Sequence, residues 1–138
     1  MEAILRFLKS HPDVALATVG DDGLPKIRVF QIMKQDGHTL YFATAPHKEV
    51  YQQLQHRPQV ELLAMSGDVS VRLAGTIYFD VADSVGEEIY NSTPVLKRLY
   101  AKHSDMVYIR LPIVQATYFD LAPTPPLVKH YDLRNEQQ

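Results

Sequence analysis

The sequence predicts one mainly β domain, in which antiparallel strands form a barrel or a sandwich. Strand-like segments follow one another along the chain, and turn signals such as GDDG at 20–23 and SGD at 66–68 separate them. Val69–Phe79 alternates apolar and polar residues, as a strand with one buried face does. Pro25–Met33 is largely apolar on both faces. A second subunit or a flat ligand would therefore have to cover its outer face.

The order of the elements follows from hydrophobic periodicity and from the positions of Gly and Pro. The predicted strands are Val14–Val19, Pro25–Met33, His38–Ala43, Gln59–Met65, Val69–Phe79, Met106–Arg110 and Gln115–Leu121. The predicted helices are residues 1–9, Pro46–His56 and Ala82–Lys102, the last one broken near residues 92–94. Residues 34–37 are predicted as a turn and 122–138 as an extended C-terminal tail. No repeat or composition shift divides the chain, so residues 1–138 are predicted to form a single domain.

Composition excludes several classes of function. The net charge of −2 and a pI near 6.3 leave no basic footprint for nucleic acid or for an anionic membrane. The chain has no Cys, so it has neither disulfides nor a Cys-based metal site. No His pair has helical metal-ligand spacing, and we expect no metal centre. Because no stretch resembles a signal peptide or a membrane span, we expect a cytoplasmic protein.

Arg28 is a charged residue on a largely apolar strand face, between Lys26 and Phe30. Burying a charge there costs free energy unless the charge is paired. One interpretation is an ion pair with a nearby Asp or Glu. The other is an anionic ligand, because a guanidinium group donates two parallel hydrogen bonds to a phosphate. The strand context alone does not decide between the two.

A second candidate anion site lies where the third predicted strand meets the next helix. If this helix begins at Pro46, which suits a first helical turn, Thr44 or Ala45 occupies its cap. The free N–H groups of a helix start favour an anion, and Lys48 would lie in the first turn. By itself this segment is explained by Thr44 capping the helix and by a solvated Lys48. Together with Arg28, a phosphate site is the better interpretation.

Several motifs occur in a characteristic order along the chain. They are ALATV at 15–19, DG at 22–23 followed by Pro25, Arg28, LYFAT at 40–44, Lys48, VYQQL at 50–54, RPQVEL at 57–62, and a strand with Ser70, Arg72 and Gly75. In this order the sequence resembles the FMN-binding split-barrel family, the pyridoxamine 5′-phosphate oxidase-like proteins, above all their short single-domain members. The resemblance spans roughly residues 4–121. It implies an antiparallel, Greek-key-like split β-barrel and a homodimer with FMN at the subunit interface.

The resemblance also implies which residues bind the cofactor. Arg28, Thr44 and Lys48 match the family's phosphate ligands. Backbone at residues 29–31 and 42–43 would follow the isoalloxazine and the ribityl chain, Gln53 matches a helix residue near the flavin, and Ser70 and Arg72 approach the flavin, often from the other subunit. The implied cofactor-binding set is Arg28, Val29, Phe30, Gln31, Phe42, Ala43, Thr44, Lys48, Gln53, Ser70 and Arg72.

The implied function is an FMN-dependent oxidoreductase with an unknown small-molecule substrate, a possible nicotinamide donor and no assigned catalytic residue. The chain has no Trp, and its end lacks the Arg-x-His substrate element of the family's oxidase. We therefore expect no pyridoxamine 5′-phosphate oxidase activity. Three alternatives stay open: a non-catalytic module that binds flavin, heme or the deazaflavin F420, a nitroimidazole reductase-like protein, and a structural dimer without a cofactor.

Overall fold

A computed structural model describes residues 1–134. Its helices are α1 (Glu2–Ser10), α2 (Glu49–His56), α3 (Asp83–Ser92) and α4 (Pro94–Leu99), and a 3-10 turn spans His103–Asp105. Its strands are β1 (Asp13–Val19), β2 (Pro25–Gln31), β3 (Lys34–Asp36), β4 (Thr39–Thr44), β5 (Gln59–Ser66), β6 (Val69–Thr76), β7 (Val107–Asp120) and β8 (Leu127–Asp132). Within the described residues no helix combines the length and the apolar character that crossing a membrane requires.

The strands form one antiparallel sheet that curls into a half-barrel, which confirms the predicted mainly β class. The strand order is β2-β1-β5-β6-β7-β4-β3, and β8 pairs with β7 outside this path. β7 is long enough to pair with β4 through its first half and with β6 and β8 through its second half. The β3–β4 hairpin therefore joins the rest of the sheet through β7.

The half-barrel is split between β2 and β4. Where β2 leads into β3, the Met33 N–H donates to the Tyr41 carbonyl of β4 at 2.9 Å. No ladder between β2 and β4 extends beyond this bond in the described part of the chain. The two strands consequently leave an opening that runs from Met33 toward the end of β4.

Two apolar clusters stabilise the fold. The main core fills the inner face of the half-barrel, where cross-strand partners such as Leu16, Leu62 and Leu73 are at most 2% exposed. The second cluster lies outside β4, where α3 and α4 pack with Ile89, Leu96 and Met106. The second cluster holds the two helices beside the split.

β7 corrects two predictions, because it is one strand where the sequence predicted Met106–Arg110 and Gln115–Leu121. Pro112 lies in the gap between these two predicted strands, and proline removes a backbone donor. In the structure Pro112 pairs with Thr39 at the end of the β4 ladder, next to the register shift at Gly75 of β6. At Pro112, β7 changes its pairing partner from β4 to β6. The missing N–H of the proline therefore does not end the strand.

Two short strands were not predicted. β3 occupies three of the residues predicted as a turn, and β8 lies inside the predicted extended tail. Each is an edge strand that takes its conformation from pairing with β4 or β7 rather than from its own composition. The last part of the predicted tail, residues 135–138, lies outside the described residues.

The predicted start of α2 was wrong. The helix begins at Glu49 rather than Pro46, and Lys48 rather than Thr44 or Ala45 is its N-cap. Thr44 ends β4, and a turn closed by the Lys48 N–H and the Ala45 carbonyl at 3.1 Å comes between. Proline disfavours helical geometry in the residue before it, which keeps Ala45 out of the helix.

Candidate functional site

A cleft of about 190 Å³ lies in the split between β2 and β4. β2 forms one wall and the end of β4 forms the other, with Lys48 at the rim. The second apolar cluster supplies the roof from α4 and Met106. The lining residues are Val29, Phe30, Gln31, Met33, Ala43, Thr44, Lys48, Val95, Leu96, Leu99, Tyr100 and Met106. Six of the eleven cofactor-binding residues predicted from the sequence thus line one cleft.

The β2 wall presents backbone groups that pair with no second strand in the described part of the chain. The Ile32 N–H donates to the Pro12 carbonyl at 2.8 Å, which fixes the hydrogen-bonding phase of the β1–β2 ladder. Arg28 and Phe30 therefore point their backbone N–H and C=O groups toward β1. Val29 and Gln31 point theirs away from β1, because β2 is the edge of the sheet. Donors and acceptors of the main chain thus border the cleft.

The β4 wall contributes a buried hydroxyl without a partner. Thr44 is 1% exposed, and its Oγ1 has no hydrogen bond within residues 1–134. Such a group usually binds a protein group, an ordered water or a ligand. Lys48 lines the same cleft, is exposed, and forms no ion pair with the described residues. A hydroxyl and an ammonium group are therefore free to bind an anion here.

Arg28 lies on the inner face of β2, next to the cleft wall. Its Nη1 donates to Thr18 Oγ1 at 2.6 Å and to the Leu16 carbonyl at 3.4 Å, and its Nη2 donates to Gln53 Oε1 at 2.8 Å. Gln53 also accepts from Thr18 Oγ1 at 2.7 Å. Thr18 of β1, Gln53 of α2 and Arg28 of β2 therefore form a closed hydrogen-bonded triangle.

The Arg28 charge is met by neutral oxygens. Within residues 1–134 it forms no ion pair, so the structure does not support the first interpretation of this residue. Burial lowers the pKa of the Arg28 guanidinium, and the Glu49 carboxylate partly opposes that shift. The group nevertheless remains protonated at neutral pH, because an arginine begins from a very high pKa. A half-buried positive charge without a counter-ion is typical of an anion site.

The remaining predicted residues are distributed differently. The Phe42 side chain is fully buried and packs on Phe30, with ring centroids 5.8 Å apart, so only its backbone can serve the cleft. Ser70 and Arg72 lie on the outer face of β6, away from the cleft of the same chain. Arg28 hydrogen-bonds neither Thr44 nor Lys48 among the described residues, so their convergence on one phosphate stays a prediction.

The outer face of the sheet places Arg72 in line with β2. The register aligns one residue from each of β2, β1, β5, β6, β7 and β8 in a single row. These residues are Val29, Ala15, Leu63, Arg72, Thr117 and His130. Val29 is 73% exposed and Ile27 71%, and Leu63 and Met65 of β5 are exposed as well. An apolar outer face therefore adjoins the cleft, as the two-sided β2 sequence predicts.

The sequence did not identify the roof of the cleft. Val95, Leu96, Leu99 and Tyr100 come from the predicted helix that the break near Pro94 interrupts. Their spacing resembles any amphipathic helix, and nothing local shows that the helix packs beside a strand end about 50 residues earlier. Leu99 is 62% exposed at the lip of the cleft.

One further group of side chains could hold a cation. His103 Nε2 lies 3.3 Å from Asp83 Oδ1 and 3.9 Å from Glu87 Oε1, and all three ligand atoms lie within 4.8 Å of one another. The sequence missed this cluster because His103 is distant in the chain from the two acids of α3. A hydrogen bond between His103 and Asp83, with Glu87 nearby, explains the same contacts.

Comparison with known proteins places the chain in a family. A family model for pyridoxamine 5′-phosphate oxidase matches residues 1–121. No curated protein matches the sequence. A solved structure from Clostridium acetobutylicum, related to general stress protein 26 of B. subtilis and assigned to the pyridoxinephosphate oxidase family, is similar with a TM-score of 0.78. The two sequences are 15% identical over 97% of this chain and 94% of that chain.

Two further solved structures share the fold. A pyridoxamine 5′-phosphate oxidase-related, FMN-binding protein from Nostoc punctiforme is 16% identical with a TM-score of 0.74, over 99% of this chain and 92% of that chain. A heme-binding protein from Mycobacterium smegmatis is 17% identical with a TM-score of 0.72, over 94% of this chain and 56% of that chain. These likenesses confirm the split-barrel fold, and the match over residues 1–121 shows that the chain belongs to the pyridoxamine 5′-phosphate oxidase family.

Proposed function

We propose that this protein binds FMN in the cleft between β2 and β4 and acts as a flavin-dependent oxidoreductase. The observation that carries the proposal is the unpartnered Thr44 hydroxyl, buried in a cleft that Lys48 also lines. An ester phosphate is a suitable ligand for this pair, because it offers several strong acceptor oxygens and negative charge. Arg28, on the same strand as the cleft wall, supplies the second positive charge.

The open edge of β2 is suited to bind the isoalloxazine ring, at the end of FMN opposite the phosphate. The free N–H and C=O groups of Val29 and Gln31 alternate along the cleft, and a heterocycle with donors and acceptors on its rim can pair with them. FMN, when bound, supplies hydride and electron transfer, and the protein supplies binding, orientation and electrostatics. The similar FMN-binding protein from Nostoc punctiforme adds support for flavin as the ligand.

The size of the cleft supports a homodimer with the cofactor at the interface. Its volume of about 190 Å³ falls below the roughly 300–1,000 Å³ typical of small-molecule sites, so one chain supplies only part of an enclosure. Val29 belongs to both the cleft wall and the exposed apolar face. A second chain packed on that face would complete the site and place its own Ser70 and Arg72 near the flavin.

We infer that a reduced nicotinamide reduces the flavin and that pyridoxamine 5′-phosphate is not a substrate. A phosphorylated amine needs a second phosphate site with its own cations. Lys97 and Arg98 are exposed on α4, and Arg134 already forms an ion pair with Asp132. Within residues 1–134 these three cations are thus solvated or already paired, which supports the absence of a second phosphate site.

The experiment begins with the FMN-loaded protein under anaerobic conditions. We expect NADH or NADPH to bleach the absorbance of oxidised flavin, and we expect no pyridoxal 5′-phosphate from pyridoxamine 5′-phosphate. A flavin that stays oxidised with both nicotinamides would indicate a storage or sensor protein instead. Steady formation of pyridoxal 5′-phosphate would contradict the assignment of specificity.

The spectrum of the purified protein separates the cofactor classes. A flavin spectrum, released by denaturation as FMN and identified by mass, supports the proposal. A Soret band would favour heme, as bound by the similar Mycobacterium smegmatis protein. A colourless protein that takes up neither FMN nor heme would leave only the structural role.

A further inference from the structure

The guanidinium group of Arg28 has one edge occupied and one edge free. Three of its five N–H groups have acceptors, namely both on Nη1 and one on Nη2. Thr18 Oγ1 and Gln53 Oε1 lie 2.7 Å apart and accept from Nη1 and Nη2, so they cover the edge between these nitrogens. The Nε–H and the second Nη2–H have no partner within residues 1–134. They share the other edge of the planar group, where two parallel N–H bonds match two oxygens of a phosphate.

The side chains of Thr18 and Gln53 are almost fully buried, since Thr18 is 2% and Gln53 5% exposed. Gln53 Oε1 accepts two hydrogen bonds, which uses the capacity of an amide oxygen. The two residues come from β1 and α2, both packed elements, so they hold the Arg28 side chain from two sides. We call Thr18 and Gln53 the braces of Arg28. The resemblance placed Gln53 near the flavin, but in the structure its oxygen is directed to Arg28.

We propose that Thr18 and Gln53 are positioning residues that hold the free edge of Arg28 toward the cofactor phosphate and so make the site select FMN over riboflavin. This inference rests on the proposed function. Without the braces, Arg28 would exchange among side-chain rotamers, and part of the phosphate binding free energy would be spent on ordering it. The isoalloxazine contacts with the β2 edge would remain. A protein without these two side chains should therefore lose affinity only for ligands that carry the phosphate.

The test compares the dissociation constants of FMN and riboflavin, measured by fluorescence quenching in the wild-type protein and four variants. Gln53→Met and Thr18→Val remove the polar braces at nearly constant volume. Gln53→Glu places a carboxylate beside Arg28, which neutralises its charge while keeping the shape of the side chain. Gln52→Met is the matched control, because Gln52 is the exposed neighbour on the same helix.

We expect Gln53→Met and Thr18→Val to weaken FMN binding by about tenfold, the size of one hydrogen bond to a charged group, and to leave riboflavin binding unchanged. Gln53→Glu should weaken FMN binding more, again without an effect on riboflavin. Gln52→Met should match the wild type for both ligands. If Gln53→Met fails to fold, Thr18→Val and Gln53→Glu still give the ratio of the two constants.

Two results would overturn the inference, and they are distinguishable. If the wild type binds FMN but all brace variants keep the wild-type ratio of FMN to riboflavin affinity, Thr18 and Gln53 do not position Arg28. The same conclusion follows if both affinities fall together, since that pattern reports general damage to the cleft. If the wild type binds neither flavin, the proposed function itself fails.

Discussion

The Thr44 hydroxyl is buried and has no hydrogen-bond partner within residues 1–134. Leaving a buried donor unpaired costs about 1–3 kcal/mol. We predict that Thr44→Val raises the free energy of unfolding of the cofactor-free protein by about 1 kcal/mol and weakens its binding of FMN. Urea unfolding and a flavin titration measure the two effects. Cofactor binding and stability of the free protein thus oppose each other at this side chain.

The same substitution at Thr18 is its control. Thr18 is equally buried, but its hydroxyl donates to Gln53 and accepts from Arg28. Thr18→Val should therefore lower the free energy of unfolding. If Thr44→Val also lowers it, the Thr44 hydroxyl has a partner in solution and the main support for the anion site is lost.

Arg28 is expected to contribute to ligand binding more than to folding. Arg28→Ala should weaken FMN binding by about 2 kcal/mol or more, because a charge-assisted contact is lost in a partly dry site. The triangle keeps its Thr18–Gln53 bond, so the fold should survive. Arg98→Ala, an exposed arginine of α4, serves as the control, and unchanged flavin retention in Arg28→Ala would refute the phosphate assignment.

At the level of single residues, the sequence identified candidate site residues but not the side chains that hydrogen-bond to them. Arg28 stood out because a charge interrupts an apolar strand face. Its partners Thr18 and Gln53 are ordinary residues in their own elements, and only the packing of α2 against β1 brings them together. Thr44 was identified as a helix cap for a local reason. Its burial without a partner depends on the split between β2 and β4, which no local pattern encodes.

At the scale of elements, β6 and β7 approach each other closely at a glycine. A Cβ on Gly75 would lie 2.7 Å from the Pro112 carbonyl oxygen and 2.8 Å from Leu111 Cδ1. We predict that Gly75→Ala lowers the free energy of unfolding by about 1–3 kcal/mol, because the β7 backbone must move. Thermal unfolding measures the effect.

Gly20→Ala is the matched control for this prediction. A Cβ on Gly20 would first meet the side chains of Asp22 and Lys26, both at 2.8 Å. The Asp22 side chain is exposed and the Lys26 side chain is partly exposed, so both can rotate away and Gly20→Ala should change stability little. Equal losses at the two glycines would mean that the fit at the β6–β7 register shift is not what constrains Gly75.

Element boundaries were predictable where composition and pairing agree. β1 and β5 lie within one residue of their predicted ends. β3 and β8 were missed because an edge strand can form from almost any residues once a neighbour offers its backbone. The beginning of α2 was misplaced because proline is compatible with a first helical turn and equally with the turn that precedes Lys48.

At the scale of the whole molecule, the exposed face of Ile27, Val29, Leu63 and Met65 is expected to be covered. We predict a homodimer in solution that Ile27→Glu converts to a monomer, because the new carboxylate would have to lose its water at an apolar position of the interface. Light scattering at micromolar concentration measures the mass. The flavin should be retained less well by the monomer.

The control for the dimer is an exposed apolar residue outside this face. Ala3 is exposed on α1, which packs through Ile4 and Leu8 on the main core, on the opposite side of the sheet. Ala3→Glu should stay dimeric. A wild-type protein that is monomeric under these conditions would refute the prediction, and a dimeric Ile27→Glu would place the interface elsewhere.

The mainly β class was predictable because turn residues and strand alternation both point to antiparallel strands in a barrel or a sandwich. The split-barrel fold followed only from the family resemblance, which rests on the order of the motifs. The helical roof of the cleft was not predictable, since α4 reaches it only through the second apolar cluster. The packing of a second chain was equally unpredictable. The sequence indicates that an apolar surface must be covered, but not how a partner subunit would pack on it.

The central place of β7 bears on when the protein can mature during its synthesis. β4 joins the sheet through residues 107–112, so the wall that carries Thr44 is fixed only after these late residues have left the ribosome. Translation proceeds at roughly 5–20 residues per second from the N-terminus, and a nascent chain without β7 lacks the strand that links the β2-β1-β5-β6 part of the sheet to the β3–β4 hairpin. If the cleft binds FMN as proposed, cofactor capture follows translation of β7, and the edges of β4 and β6 stay open until then.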